Sequence, residues 1–262
     1  MTENARPAAV AGFFYPDDPT ELARVVGDYL GTHAETSPAP KAIIAPHAGY
    51  IYSGPVAASV YARLRSAKGR VRRVVLIGPA HRVALRGLAA PRATSFATPL
   101  GELPVDREAL EQILALPQVS LSDEAHRLEH SLEVQLPFLM ATLGPVAIVP
   151  LVVGDARGTE VAEVIEALWD SDETLVAISS DLSHYHDYQT ARRMDAATSA
   201  AIEALDEERI GWDQACGQVA IAGLLQVARK RGLTARTLDL RNSGDTAGPR
   251  NEVVGYGAYA FD

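Results

Sequence analysis

Cysteine is nearly absent from this chain. Cys216 is the one thiol in 262 residues, so no internal disulfide can form and a disulfide-stapled fold is excluded. Long hydrophobic runs are missing too, and none approaches the ~20 residues that a membrane-spanning helix needs. Basic residues are outnumbered, 24 against 33 acidic ones, and the net charge of −9 leaves no electrostatic footprint for nucleic acid or an anionic membrane. The opening stretch MTENARPAAVAGFFYP does not have the charged-then-apolar layout of a secretion signal, which makes the cytoplasm the expected compartment. What remains is a chain that is 47% hydrophobic and 22% charged, long enough to bury a large core. One domain over 1–262 is the expectation.

Strand-like and helix-like segments alternate, the mark of an α/β fold with a mostly parallel or mixed sheet flanked by helices. Apolar, β-branched runs bounded by turn residues predict strands at Ala42–Ala45, Arg73–Ile77, Val146–Val153 and Thr174–Ser179. Helices are expected from Gly54 to Arg65, capped by Ser53 with Pro55 in the first turn, and over Glu129–Leu143, Val161–Trp169 and Ala191–Leu205. A last helix follows Cys216 and stops at Gly232. The Pro-, Gly- and Thr-rich stretch from Gly87 to Val105 reads as a β-excursion, Ser37–Pro40 as a short loop, and the tail as two strands, Thr234–Arg241 and Val253–Phe261.

Three of these strands end in the same way. The segments AIIAPH, VVLIGPAH and LVAISSDLSH each run apolar, break at Pro, Gly or Ser, and deliver His47, His81 and His184. In open α/β sheets ligands gather beyond the carboxyl ends of strands, so the three imidazoles are candidates for one cleft, with Asp181 three residues before His184. A histidine just past a strand is often only a loop residue facing water; it is the threefold recurrence that points to a site. His126 and His130 lie four apart and share a face if a helix begins that early, with Glu129 and Glu133 then on a solvated side. His33 and His186 carry no supporting pattern.

Cys216 by itself reads as a small buried hydrophobe. Its place ahead of a helix changes that, because free backbone N–H groups at a helix start stabilise a thiolate, and a thiolate is a nucleophile or a metal ligand. With His47 and His81 it makes a two-histidine, one-cysteine set with open positions. A Cys216–His184–Asp181 triad is also open on spacing alone.

The segments APHAGYIYSG, GPAHR, EHSLEVQLPFL, SSDLSHY and CGQVAI, in this order and flanked by AGFFYP and GYGAYAF, resemble the Memo family, also called AmmeMemoRadiSam system protein B. That family is similar in fold to the class III extradiol dioxygenases, which hold non-haem iron with two histidines and a glutamate. The resemblance implies that His47 and His81 are metal ligands and that Cys216 stands where those dioxygenases have glutamate. It also implies that His184 acts as acid–base, and that Asp181 and His130 belong to the same cleft. A thiolate in place of a carboxylate favours copper or zinc and alters the redox behaviour of iron. The resemblance further implies iron or copper as cofactor and an association with AMMECR-type and radical SAM proteins.

Three functions are compatible with these residues. The first is metal-dependent redox or O₂-linked chemistry on a small molecule. The second is a binding module or scaffold whose cleft holds a peptide or partner protein, with Tyr50, Tyr52 and Tyr185 near the motifs as suitable cleft-lining rings. The third is a metal-free cysteine hydrolase or transferase.

Overall fold

In the computed structural model, residues 4–33 and 38–262 are described. The first three residues, and Ser37 at the start of the expected Ser37–Pro40 loop, lie outside the described residues. Nine strands form the main sheet: β1 (Ala42–Ala45), β2 (Arg73–Pro79), β3 (Leu88–Ala90), β4 (Val119–Leu121), β5 (Ala147–Val153), β6 (Thr174–Ser179), β7 (His184–His186), β8 (Ala235–Asn242) and β9 (Val253–Phe261). Their order is β7-β9-β1-β6-β2-β5-β3-β4, with β8 also paired to β9.

The centre of the sheet is parallel, since β1 pairs β6, β6 pairs β2 and β2 pairs β5 in the same direction. These strands read as unbroken apolar runs because both their faces are covered, and every residue of β1 and β6 is buried. The margins are antiparallel, where β9 meets β1 and β3 meets β5. The sheet is therefore mixed; the six expected strands begin and end within two residues of their expected bounds, while the short β3, β4 and β7 were not expected as strands. The β-excursion is also present: Ser95–Thr98 and Gly101–Pro104 form a hairpin, joined by Ala5–Arg6 in a separate three-stranded sheet.

The longer helices are α1 (Pro19–Gly31), α2 (Tyr50–Tyr61), α3 (Leu136–Leu143), α4 (Gly158–Leu168), α5 (Tyr188–Glu203) and α6 (Gln218–Arg231). Helix α2 begins four residues earlier than expected, with Gly49 at the cap position and Pro55 inside the helix. The Tyr50 N–H, which a helix start leaves without an internal partner, donates to the Phe14 carbonyl at 2.7 Å. Proline is tolerated at 55 because the donor it lacks would have served Ile51, which faces solvent at 62% exposure.

The continuous helix expected over Glu129–Leu143 is broken. A five-residue helix ends at Arg127, and regular α-structure resumes only at Leu136, with Pro137 in its first turn. Between them the Glu129 carboxylate accepts the N–H groups of His130 and Ser131, both at 2.9 Å, which takes those donors away from any helical ladder. No helix among the described residues is long and apolar enough to cross a membrane.

Candidate functional site

Adjacent strands β1, β6 and β2 end on the same edge, so the chain delivers His47, Asp181 and His81 side by side. Cys216 arrives from elsewhere, on the turn that leads into α6. Gly217 makes this approach possible, because a Cβ there would come within 2.7 Å of Ser180 Cβ and 2.9 Å of the Ser179 carbonyl. The turn is then stitched down: Cys216 N–H donates to the Asp181 carbonyl at 3.3 Å and Gly217 N–H to Ser180 Oγ at 2.9 Å.

The outcome is a cleft of about 640 Å³ lined by His47, His81, His130, Asp181, His184 and Cys216, with Phe14, Arg82, Tyr185, His186, Trp212 and Asp213 around them. One ligand atom from each of His47, His81 and Cys216 lies within 4.8 Å of the others.

Hydrogen bonds fix which imidazole nitrogens are free. Ser179 Oγ donates its one proton to the Ser131 carbonyl at 2.5 Å, so at its 2.8 Å contact with His47 Nδ1 it must accept. His47 therefore carries its proton on Nδ1, and Nε2 presents a lone pair 3.3 Å from Cys216 Sγ. His81 is set in the same way, its Nδ1–H donating to Glu129 Oε1 at 2.8 Å. Both rings thus turn a bare Nε2 to the cleft, the arrangement in which a carboxylate or hydroxyl orients a metal-binding histidine from behind.

Glu129 is the hub of this support. It is 2% exposed and also accepts the His81 backbone N–H at 2.6 Å. Burial would raise its carboxyl, but the hydrogen bond and charge of His81, with backbone donors from His81 and Ser131, outweigh that and hold it at about 2. Glu129 and Glu133 are thus buried and not on a solvated face. Glu133 accepts from Arg6, the Tyr15 hydroxyl and the N–H groups of Ala9 and Val10, which ties down the segment that brings Phe14 against His130.

The electrostatics favour neutral rings at His47 and His130. Burial, then the nearby charges of His81, His130 and His184, drives His47 well below its ordinary value. Burial and His81 hold His130 at about 4, and its ring stacks on His81 at 4.6 Å between centroids. Cys216 departs from the sequence expectation. Burial and the Asp181 charge push its thiol up to about 12, against the opposing hydrogen bonds from the Asp181 and Gly217 N–H groups. The helix start does pull toward thiolate, and desolvation wins. A positive ion between Sγ and two Nε2 lone pairs would reverse that balance, so these three residues could hold a metal ion.

The remaining expected residues separate. His184 stands in the cleft but outside the 4.8 Å cluster, its Nδ1 against the Leu182 carbonyl at 2.8 Å and its Nε2 without a partner among the described residues. Asp181 turns its carboxylate onto the His47 N–H at 2.7 Å, and burial raises it above the usual carboxylate range. A Cys216–His184–Asp181 triad is not assembled, since His184 bonds a carbonyl and Asp181 a backbone amide. Tyr185 lines the cleft at 75% exposure, whereas Tyr50 does not: it is 3% exposed in the core, its hydroxyl on the Val134 carbonyl at 2.7 Å. At the first position of a helix that packs on the sheet the Tyr50 ring turns inward, and proximity to His47 in sequence said nothing of that. His126 and His130 do not share a helix, since His126 lies in the five-residue helix and His130 in the irregular stretch beyond it; His126 is buried with Nε2 on the Ala89 carbonyl at 2.9 Å.

Sequence reasoning missed Ser179, Glu129, Arg82, His186, Trp212 and Gln135, whose Nε2 donates to Ser179 Oγ at 2.8 Å and to the Pro46 carbonyl at 2.9 Å. Ser179, Glu129, Gln135 and Arg82 lie inside motifs already noted, but nothing along the chain told a buried support from a solvated residue.

Fold and cleft together define an α/β domain with a histidine- and cysteine-bearing site at the carboxyl ends of its parallel strands. The chain belongs to the Memo family: residues 6–260 match the family described as Memo-like protein. A "MEMO1 family protein" of Aquifex aeolicus is 36% identical over 266 residues, covering 96% of this chain and 97% of that one. Another of that name, from Archaeoglobus fulgidus, is 37% identical over 272 residues, with 98% and 99% covered. Among solved structures, "uncharacterized protein JW3007 from Escherichia coli K12" shares the fold, with a TM-score of 0.52 at 14% identity over 84% of this chain and 98% of that chain.

Proposed function

We propose that the cleft binds a transition-metal ion through His47 Nε2, His81 Nε2 and Cys216 Sγ and uses it in redox or O₂-linked chemistry on a small molecule. The observation that carries this reading is the fixed pair of tautomers: two buried hydrogen-bond systems, through Ser179 and Glu129, each leave a bare Nε2 beside the only thiol. Two imidazoles and a thiolate suit copper, iron or zinc better than a hard oxygen-seeking cation. Bound iron or copper would supply a redox couple and open coordination positions.

The chain's own residues do the rest. His184, its Nδ1–H held by the Leu182 carbonyl, offers Nε2 to take a proton from a substrate hydroxyl or amine and to return it. Arg82 at the rim favours substrates with an anionic group. Phe14, Tyr185 and Trp212 screen the interior from bulk water once a ligand sits between them.

Metal content of protein purified anaerobically without chelator tests the reading, together with two variants. His184→Ala is expected to keep near one equivalent of metal and His47→Ala to lose it. Equal loss in both would move His184 into the ligand set. A second reading, in which the cleft holds a peptide or partner protein without chemistry, draws on Trp212 and Tyr185, exposed at 88% and 75% at its mouth. Metal-dependent oxygen consumption separates the two.

A further inference from the structure

Two residues remote from the metal ligands break local rules at facing positions. Asp195 is a carboxylate in the middle of helix α5 and is only 2% exposed. Gly255 lies inside strand β9, where glycine weakens a strand and packs nothing. They meet: a Cβ on Gly255 would fall 2.1 Å from Asp195 Oδ2 and 2.6 Å from Oδ1. The missing side chain of one is the space that the other's carboxylate fills. Such paired departures from propensity mark functional sites, where the fold tolerates a local cost.

The carboxylate acts on one partner next to the cleft. Asp195 Oδ1 accepts the Ser183 N–H at 3.0 Å, and Gly255 grips the same segment from the other side, its N–H on the Ser183 carbonyl and its carbonyl on the Leu182 N–H, both at 2.8 Å. Leu182 in turn offers its carbonyl to His184 Nδ1 at 2.8 Å. Immediately beyond, Tyr185 takes φ of 61°, a left-handed conformation that is unfavourable for a non-glycine residue and persists only where neighbours impose it. The pairing of β7 with β9 slips at this residue. The turn that carries His184 is thus pinned at Leu182 and Ser183 and strained at Tyr185.

We infer that Asp195 and Gly255 form a cradle that positions His184, holding the Leu182 carbonyl where it fixes the Nδ1–H tautomer and so keeps Nε2 bare toward the cleft. Asp195 is a positioning residue and touches no substrate. The inference rests on the proposed role of His184 only for its purpose; the tautomer itself is observable without metal or turnover.

The test is long-range ¹H–¹⁵N spectroscopy of the histidine side chains near neutral pH, in metal-free and Zn²⁺-loaded protein, with His184 assigned through His184→Gln. Wild type is expected to show the Nδ1–H pattern. Asp195→Ala and Gly255→Ala are both expected to lose it for a tautomer-averaged signal while still binding one Zn²⁺ per chain. Asp195→Asn, which retains an acceptor for Ser183, is expected to keep the pattern with a weakened Ser183 amide bond, seen as an upfield amide shift. An unchanged His184 signal in folded Asp195→Ala overturns the cradle. If that variant does not fold, an unmoved Ser183 amide in Asp195→Asn overturns it instead. Loss of the tautomer in a protein that never binds Zn²⁺ leaves the cradle standing and refutes the metal reading.

Discussion

Glu129→Gln is the substitution whose effect the geometry constrains most closely. The wild-type carboxylate accepts four N–H groups: on Oε1 the His81 ring and the amides of His130 and Ser131, and on Oε2 the His81 amide. Glutamine has the same shape but one oxygen. Its best placement keeps the oxygen with the three donors and turns the NH₂ onto the His81 amide, leaving two donors face to face. An unsatisfied buried donor costs about 1–3 kcal/mol. The lost charge adds to this. A carboxyl held at about 2 instead of 4.5 corresponds to at most roughly 3 kcal/mol in favour of the ionised form in the fold, and to less when His81 is the neutral Nδ1–H ring. That stability is complete above pH 4.5 and drains away as pH falls through 2. With a neutral amide behind it, the His81 ring becomes a weaker donor, and such supports are typically worth about 10–100-fold in metal affinity. Anaerobic Zn²⁺ titration and urea unfolding, run on both proteins at pH 7, read the two effects separately. Affinity within about threefold of wild type, or ~0.6 kcal/mol, would refute the idea that Glu129 orients His81 for a ligand.

Three other outcomes are expected. His126 is buried as a neutral ring, lowered from 6.5 to about 4 chiefly by desolvation, so it contributes roughly 3 kcal/mol that is present above pH 6.5 and lost as pH falls through 4. Urea unfolding of wild type across that window should show the loss, and His126→Gln should flatten this component. Gly217→Ala drives a methyl against Ser180 and the Ser179 carbonyl, which is expected to cost about 1–3 kcal/mol and to weaken Zn²⁺ binding by shifting Cys216; a thermal melt and a titration check both. With its thiol near 12, Cys216 in metal-free protein should react with iodoacetamide far more slowly at pH 7 than a free cysteine of ordinary pKa, about 8.5. Rapid alkylation would show that the helix start prevails over burial after all.

The strands were legible because a sheet covered on both faces writes itself as unbroken apolar runs, and the turn residues after β1, β2 and β6 mark where the runs stop. The histidines at those stops were legible for the same reason. Glu129 was not, because a buried glutamate and a solvated one look alike until its four donors are in view. Helix α2 was misjudged at its start because the partner for its first amide, the Phe14 carbonyl, comes from a segment more than thirty residues earlier. Tyr50 followed that error: a helix beginning at Tyr50 turns the ring into the core, while one beginning at Gly54 leaves it free to face the cleft. The state of Cys216 depends on how deeply Sγ is desolvated, which no pattern of neighbours along the chain encodes. Asp195 and Gly255 are sixty residues apart, and each alone looks like an unremarkable helix polar residue and strand glycine.

X-ray absorption at the zinc edge of protein loaded with one equivalent of Zn²⁺ tests the central claim most directly. His47, His81 and Cys216 as ligands predict one sulfur scatterer at ~2.3 Å and two imidazole nitrogens at ~2.0–2.1 Å, with the sulfur absent in Cys216→Ser. A shell of nitrogen and oxygen alone in the wild-type protein would contradict the account, because it would leave the thiol outside the site.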